Sequence, residues 1–246
     1  MWETIQLNMN IKKHIPNTIT LLNLFSGCIA LVFAFEENFL FAFYFVAIGI
    51  FLDFFDGFFA RLFDVSGELG LQLDSLADMV TSGVVPGIVM FKMLSNAELG
   101  YDLHYTIPYL GFVITLGSCY RLAKFNIDTR QSDSFIGLPT PANALFILSL
   151  PLVLANTDSM AVLEILVNPY ILLVISLLSV YMLNAEIPLF SLKVKKFTLK
   201  ENAVQLIFLI FSVLLLVFFQ YLGIPLLILL YVLMSIVTNK SARKTA

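Results

Sequence analysis

Apolar residues along this chain gather into runs long enough to cross a bilayer, separated by short polar or charged breaks. The runs fall at roughly 18–35, 39–62, 71–93, 107–123, 139–156, 168–185, 203–220 and 223–238. A membrane helix needs about 20 mostly apolar residues, so each run is expected to form one span. The breaks carry turn or charge signals: Glu36-Glu37-Asn38, Asp64 to Glu68, Ser95 to Tyr105, Lys124 to Ser134, Asn156 to Ser159, and Leu192 to Glu201. The last break, Gln220 to Gly223, is short, and the choice between seven and eight spans turns on it. The pattern predicts an all-α membrane protein, a polytopic bundle of about eight transmembrane helices.

Composition agrees. Of the 246 residues, 59% are hydrophobic and 13% are charged, against about a quarter charged in a soluble domain. So few charges could not cover a water-facing surface, and the 24 phenylalanines suit acyl chains. Cys28 and Cys119 lie far apart in apolar segments and are expected to act as small buried hydrophobes. Two cysteines make neither a zinc site nor a disulfide framework. Lys12 and Lys13 precede the first apolar run, but no small-residue cleavage pattern follows, so that run is read as a retained span.

Charge placement orients the bundle. With the N-terminus inside, 13 of the 14 Lys and Arg residues fall on or near the cytoplasmic side, and only Lys92 falls near the other. That asymmetry follows the positive-inside rule and favours an even number of spans. The expectation is a multi-pass protein of the cell (inner) membrane with both termini in the cytoplasm. No internal repeat or separate soluble domain is visible, and nucleic acid is not expected as a partner.

The chemistry is expected where charge enters apolar segments. An aspartate at a membrane-helix centre costs about 2.5–3.5 kcal/mol, and four of them stand at the end of the second run and the start of the third: Asp53, Asp56, Asp74 and Asp78. At about 100° per residue, Asp53, Asp56, Gly57 and Ala60 share one helix face. Asp74 and Asp78 lie one turn apart on the next helix, with Gly70 a turn earlier. The short connection makes the two helices an antiparallel hairpin and brings the carboxylates together near the cytoplasmic mouth. Four carboxylates at such range need counter-charge. Hard divalent cations with oxygen ligands supply it, Mg²⁺ most simply, with Mn²⁺ the other candidate. Two such ions would make a clamp for displacement at phosphorus.

The run Asp53-Phe-Phe-Asp56-Gly57-Phe-Phe-Ala60-Arg61, eight residues, Gly70, three residues, Asp74, three residues, Asp78 resembles the signature of the CDP-alcohol phosphotransferase family at every defined position. The resemblance implies a core of six transmembrane helices, a CDP-linked donor, a two-metal site and release of CMP. It implies metal binding by Asp53, Asp56, Asp74 and Asp78, with Asp78 also the base for the acceptor hydroxyl. Gly57, Ala60, Arg61 and Gly70 would line the CDP-lipid site. Pro16-Asn17-Thr18-Ile19-Thr20 resembles the family segment that helps hold the nucleotide, which makes Asn17 and Thr20 candidates. Helix-start capping after Pro16 is the alternative for those two.

Further segments resemble the phosphatidylserine synthase branch: Leu76 to Pro86, Arg121-Leu-Ala-Lys124-Phe125-Asn126, and Phe135-Ile-Gly137-Leu138-Pro139-Thr140-Pro141-Ala142. That branch implies CDP-diacylglycerol and L-serine as substrates, with Arg121 and Lys124 as acceptor-binding candidates. Lys124 departs from the arginine usual there, keeping the charge and losing the bidentate fork. Positive-inside anchoring is the other reading of both cations. The Asn184 to Lys193 stretch, with Glu186 and Ser191, lies at the same membrane level.

The expected division is a cytoplasmic or interfacial segment 1–15, a membrane core 16–185, a cytoplasmic loop 186–202, two additional helices 203–238 and a tail 239–246. Packing or homodimer contacts are the uses open to the two additional helices. Within the class, glycerol 3-phosphate is the alternative acceptor. Outside it, a divalent-cation transporter also places aspartates near metal, but there the carboxylates belong at the midplane between repeated halves.

Overall fold

The computed structural model describes residues 2–65, 67–97, 105–128, 135–189 and 203–245. Helix α1 (Trp2–Phe35) enters the bundle and turns at Glu37 into α2 (Phe39–Leu62). Small side chains let these two pack closely: Ala30 and Ala34 on α1, and Ala42 and Val46 on α2, are fully buried. Helix α3 (Glu68–Asp78) runs through a π-helical turn at Met79–Val84 into α4 (Val85–Ser95), and together they form one long apolar segment. The far end of this three-span unit is tied by an ion pair. Lys92 on α4 lies 3.3 Å from Glu37 in the α1–α2 turn, and the Asn96 amide donates to the same carboxylate at 3.0 Å.

A 3₁₀ segment at Ile107–Phe112 runs directly into α5 (Val113–Ile127). Next come α6 (Thr140–Asn156), α7 (Met160–Val167) and α8 (Pro169–Asn184). Helices α7 and α8 meet at a 73° bend. The Asn168 side chain caps α8 there by accepting from the Tyr170 and Ile171 amides. Met160–Val167 falls between two expected runs, because its eight residues are too few to make a span signal of their own.

The last helical run, α9 (Ala203–Thr245), breaks at Gln220, where φ is 46° and ψ is −119°. Its halves fold back on one another: a Cβ at Gly223 would collide with the Leu215 carbonyl, and the Phe208 and Tyr231 rings stand 5.6 Å apart. A straight helix would hold those positions far apart, so the short Gln220 to Gly223 break does divide two segments, as the eight-run reading requires. Phe208, Ile228 and Tyr231 of this hairpin form a second core with Leu138 and Leu189. Two-residue strands β1 (Phe135–Ile136) and β2 (Pro188–Leu189) pair antiparallel beside it.

The outer surface is apolar. Phe25, Phe51, Phe54, Leu116 and Phe218 are all exposed, as expected of lipid-facing positions in a multi-pass membrane protein. Cys28 and Cys119 are exposed as well, which corrects the expectation that they fill the core: both point away from the helix contacts. His104, Arg130, Ser191 and Lys193 lie outside the described residues.

Candidate active site

The four aspartates occupy the end of the α2–α3 hairpin. Asp53, Asp56 and Asp74 each present a carboxylate oxygen within 4.8 Å of the others. Asp78, one turn further along α3, lies within electrostatic range of Asp53, Asp74 and Asp56. The predicted convergence is therefore present, with Asp78 standing slightly behind the other three. Arg61 lies within electrostatic range of Asp56, and Arg121 within that of Asp78. Two guanidinium groups for four carboxylates leave excess negative charge in a poorly hydrated place, and an all-oxygen donor set of this kind suits hard divalent cations.

A cleft opens beside the carboxylates. It is walled by Asn17 and Thr20 from α1, Asp56, Gly57 and Ala60 from α2, and Gly70 and Asp74 from α3. Five of the six residues expected on the donor side thus line one space. The sixth, Arg61, stands at its edge, its guanidinium 3.5 Å from where a Cβ on Gly57 would lie. Helix α1 starts at Trp2, so Asn17 and Thr20 sit inside a helix and cannot cap its start. Thr20 instead donates to Asp56 Oδ2 at 2.5 Å, and the space above Gly70 faces the Asn17 side-chain oxygen at 3.5 Å.

The sequence reading missed the support behind Asp78. Asn23 is fully buried on α1; its Nδ2 donates to Asp78 Oδ1 at 3.4 Å, and its Oδ1 accepts from Thr81 Oγ1 at 2.9 Å. Gly49 on α2 makes room, since a Cβ there would come within 2.7 Å of both Asn23 Oδ1 and Thr81 Cγ2. Thr81 belongs to the π-helical turn that follows Asp78. Single π-turns inside α-helices recur at functional sites; this one brings a hydroxyl against α1. A sequence signal did exist. Pro16, Thr20, Asn23 and Gly27 recur at steps of four, three and four along an apolar span, and so mark its inward face.

On the other side of Asp78 stands Arg121. It is buried, and it donates from Nε to the Leu138 carbonyl at 2.5 Å and from Nη2 to the Gly137 carbonyl at 3.4 Å. Its bonds show it holding the Gly137-Leu138 turn. That turn needs glycine, because Gly137 has φ +75° and a Cβ would lie 2.6 Å from the Leu183 carbonyl oxygen. Lys124, one turn on, lies 3.5 Å from Glu186. Asn126 exchanges hydrogen bonds with Ser75, the neighbour of Asp74, at 2.9 and 3.1 Å. The run 121–126 is thereby joined to the acidic hairpin.

Residues 13–183 match the model of the CDP-alcohol phosphatidyltransferase family. The chain belongs to that family. A CDP-alcohol phosphatidyltransferase depends on divalent metal, and the converging carboxylates of Asp53, Asp56 and Asp74 form an acidic cluster that could hold one. Among curated relatives of this family, the chain is 36% identical over 133 residues to a CDP-diacylglycerol–serine O-phosphatidyltransferase of Bacillus subtilis, covering 52% of this chain and 70% of the relative. It is 34% identical over 134 residues to the protein of that name from Helicobacter pylori J99, covering 54% of each. It is 32% identical over 153 residues to the one from Saccharomyces cerevisiae, covering 56% of this chain and 53% of the relative. The chain thus spans about half the length of the latter two. The family match takes in the cleft, the four aspartates, Arg121 and Lys124, and ends just before Asn184, Glu186 and the terminal hairpin.

Proposed function

We propose that this protein transfers the phosphatidyl group of CDP-diacylglycerol to the hydroxyl of L-serine, giving phosphatidylserine and CMP. The observation that carries the reading is the meeting of Asp53, Asp56 and Asp74 at the wall of a cleft lined by small residues of α2 and α3. The names of the relatives support serine as acceptor.

Asp53, Asp56, Asp74 and Asp78 would hold two Mg²⁺ or Mn²⁺ ions, which when bound neutralise the diphosphate and the charge that develops on it. Asn17, Thr20, Gly57, Ala60, Gly70 and Arg61 would receive the CDP moiety, the small residues allowing close approach and Arg61 offering charge to a phosphate. The serine oxygen attacks the phosphorus that bears diacylglycerol, and a P–O bond forms. The bond from that phosphorus to the bridging oxygen breaks, and CMP leaves with the electron pair. Asp78 takes the hydroxyl proton; Asn23 occupies one of its oxygens and leaves the other available. Arg121 and Lys124 supply positive charge on the acceptor side. The hairpin's position at one membrane edge suits a lipid donor whose tails stay in the bilayer while cytidine and serine stay in water. The Lys and Arg distribution supports a cytoplasmic site in the inner membrane.

The test is CMP release by the purified protein from CDP-diacylglycerol with serine, glycerol 3-phosphate or inositol, with and without divalent metal. Serine-dependent, metal-dependent release is expected. Release with glycerol 3-phosphate alone would reassign the acceptor. Metal flux into proteoliposomes without CMP chemistry would replace the enzyme with a transporter.

A further inference from the structure

We infer that Asn184 and Glu186 receive the ammonium group of the acceptor, so that the site selects a zwitterion over an anion; this rests on the serine reading above. Asn184 closes α8, and its amide nitrogen donates to the Gly117 and Val180 carbonyls, both at 3.1 Å. Both of its N–H groups are spent on carbonyls, which fixes the orientation of the amide. Its Oδ1 is left buried with no donor among the described residues. A buried acceptor without a donor costs about 1–3 kcal/mol, and it is the kind of group a cationic ligand satisfies.

The surroundings complete the argument. Asn184 shares a small pocket with Arg121, Lys124, Ile136, Leu183 and Ala185. Two cations stand on the α5 wall. Asn184 lines the pocket from α8, and two residues on is Glu186, whose carboxylate pairs with Lys124 at 3.5 Å. Arg121 also lies within electrostatic range of Asp78, which links the pocket to the proposed base. A zwitterion can replace the Lys124–Glu186 pair charge for charge, its carboxylate on Lys124 and its ammonium on Glu186 and Asn184. A phosphate ester such as glycerol 3-phosphate satisfies Lys124 and leaves Glu186 facing negative charge. That repulsion is the discriminating element. Glu186 is well exposed in its pair, so the pair adds little to stability, and Glu186→Gln is expected to fold.

The experiment measures serine KM and kcat by incorporation of labelled serine into lipid, with two competing alcohols that each carry half of serine's charge. 3-Hydroxypropionate has the carboxylate and no ammonium; ethanolamine has the ammonium and no carboxylate. Glu186→Gln is expected to raise serine KM about tenfold with kcat largely kept. It should weaken ethanolamine inhibition and leave 3-hydroxypropionate inhibition equal or stronger. Lys124→Met is expected to show the reverse pattern for the inhibitors. Glu186→Asp, which keeps the charge, should recover most of the serine KM. An unchanged serine KM in Glu186→Gln, or equal losses for both inhibitors, would overturn the assignment while leaving the serine reading intact. Absence of serine-dependent CMP release by the wild type would overturn both.

Discussion

Asn23 and Asp78, 55 residues apart, meet inside the bundle through a hydrogen bond of 3.4 Å from the amide nitrogen to one carboxylate oxygen. The amide is itself oriented, because its oxygen accepts from Thr81 at 2.9 Å. Two spans thereby set the direction of one acidic side chain. Asn23→Ala is expected to lower kcat about 10- to 100-fold, in the range seen when partners of metal ligands are removed, with a smaller change in donor KM. Thr81→Ser keeps the hydroxyl and should retain most activity, whereas Thr81→Val should follow Asn23→Ala. CMP release normalised to folded protein checks all three; equal activity in the Ser and Val variants would remove Thr81 from this role.

Thr20, about one turn before Asn23 on the same helix face, holds Asp56 at 2.5 Å. Thr20→Val keeps the shape and removes the donor. The half-saturating Mg²⁺ or Mn²⁺ concentration is expected to rise about tenfold, with near-normal turnover at saturating metal. A metal titration of activity decides this, and an unchanged half-saturation point would mean that Asp56 needs no such support.

Asp56→Asn and Asp74→Asn each remove one of the three converging carboxylates. Both are expected to abolish turnover while the protein still inserts and purifies as the wild type does. Chelation of divalent metal should silence the wild type, and added Mg²⁺ or Mn²⁺ should restore it. A wild-type rate from either variant would exclude that residue from the site.

Gly137→Ala places a methyl group against the Leu183 carbonyl at a φ of +75°. The strain costs on the order of 1–3 kcal/mol. Because Arg121 donates to residues 137 and 138, the change should raise serine KM and lower thermal stability together, with donor KM little affected. Thermal unfolding in detergent and a two-substrate kinetic analysis measure the two effects.

The sequence disclosed the spans and the acidic hairpin because each has a strong one-dimensional signature. Apolar runs report lipid, and aspartates at fixed helical steps within them report a shared face. The Gln220 break was legible as a short interruption, although it takes the Phe208–Tyr231 and Gly223–Leu215 contacts to show that the chain doubles back there. Other features leave no such trace. The π-helical turn at Met79–Val84 depends on which backbone bonds win inside a continuous apolar segment. The hold of Arg121 on the Gly137-Leu138 turn depends on backbone carbonyls, which every residue has. The short helix Met160–Val167 is defined by its bend against α8, a tertiary property. Asn23 could have been read from the inward stripe of its helix; its partner Thr81 could not, because the π-turn shifts the register.

Under the proposed function, the second core formed by Phe208, Ile228 and Tyr231 with Leu138 and Leu189 would give the last pair of segments a mechanical part in catalysis. Leu138 is clasped on one side by that apolar wedge and on the other by the Arg121 guanidinium. Slackening the wedge would let the guanidinium drift away from Asp78, so damage at a distance from every reacting atom would surface as poor capture of the small alcohol, with the nucleotide still held firmly.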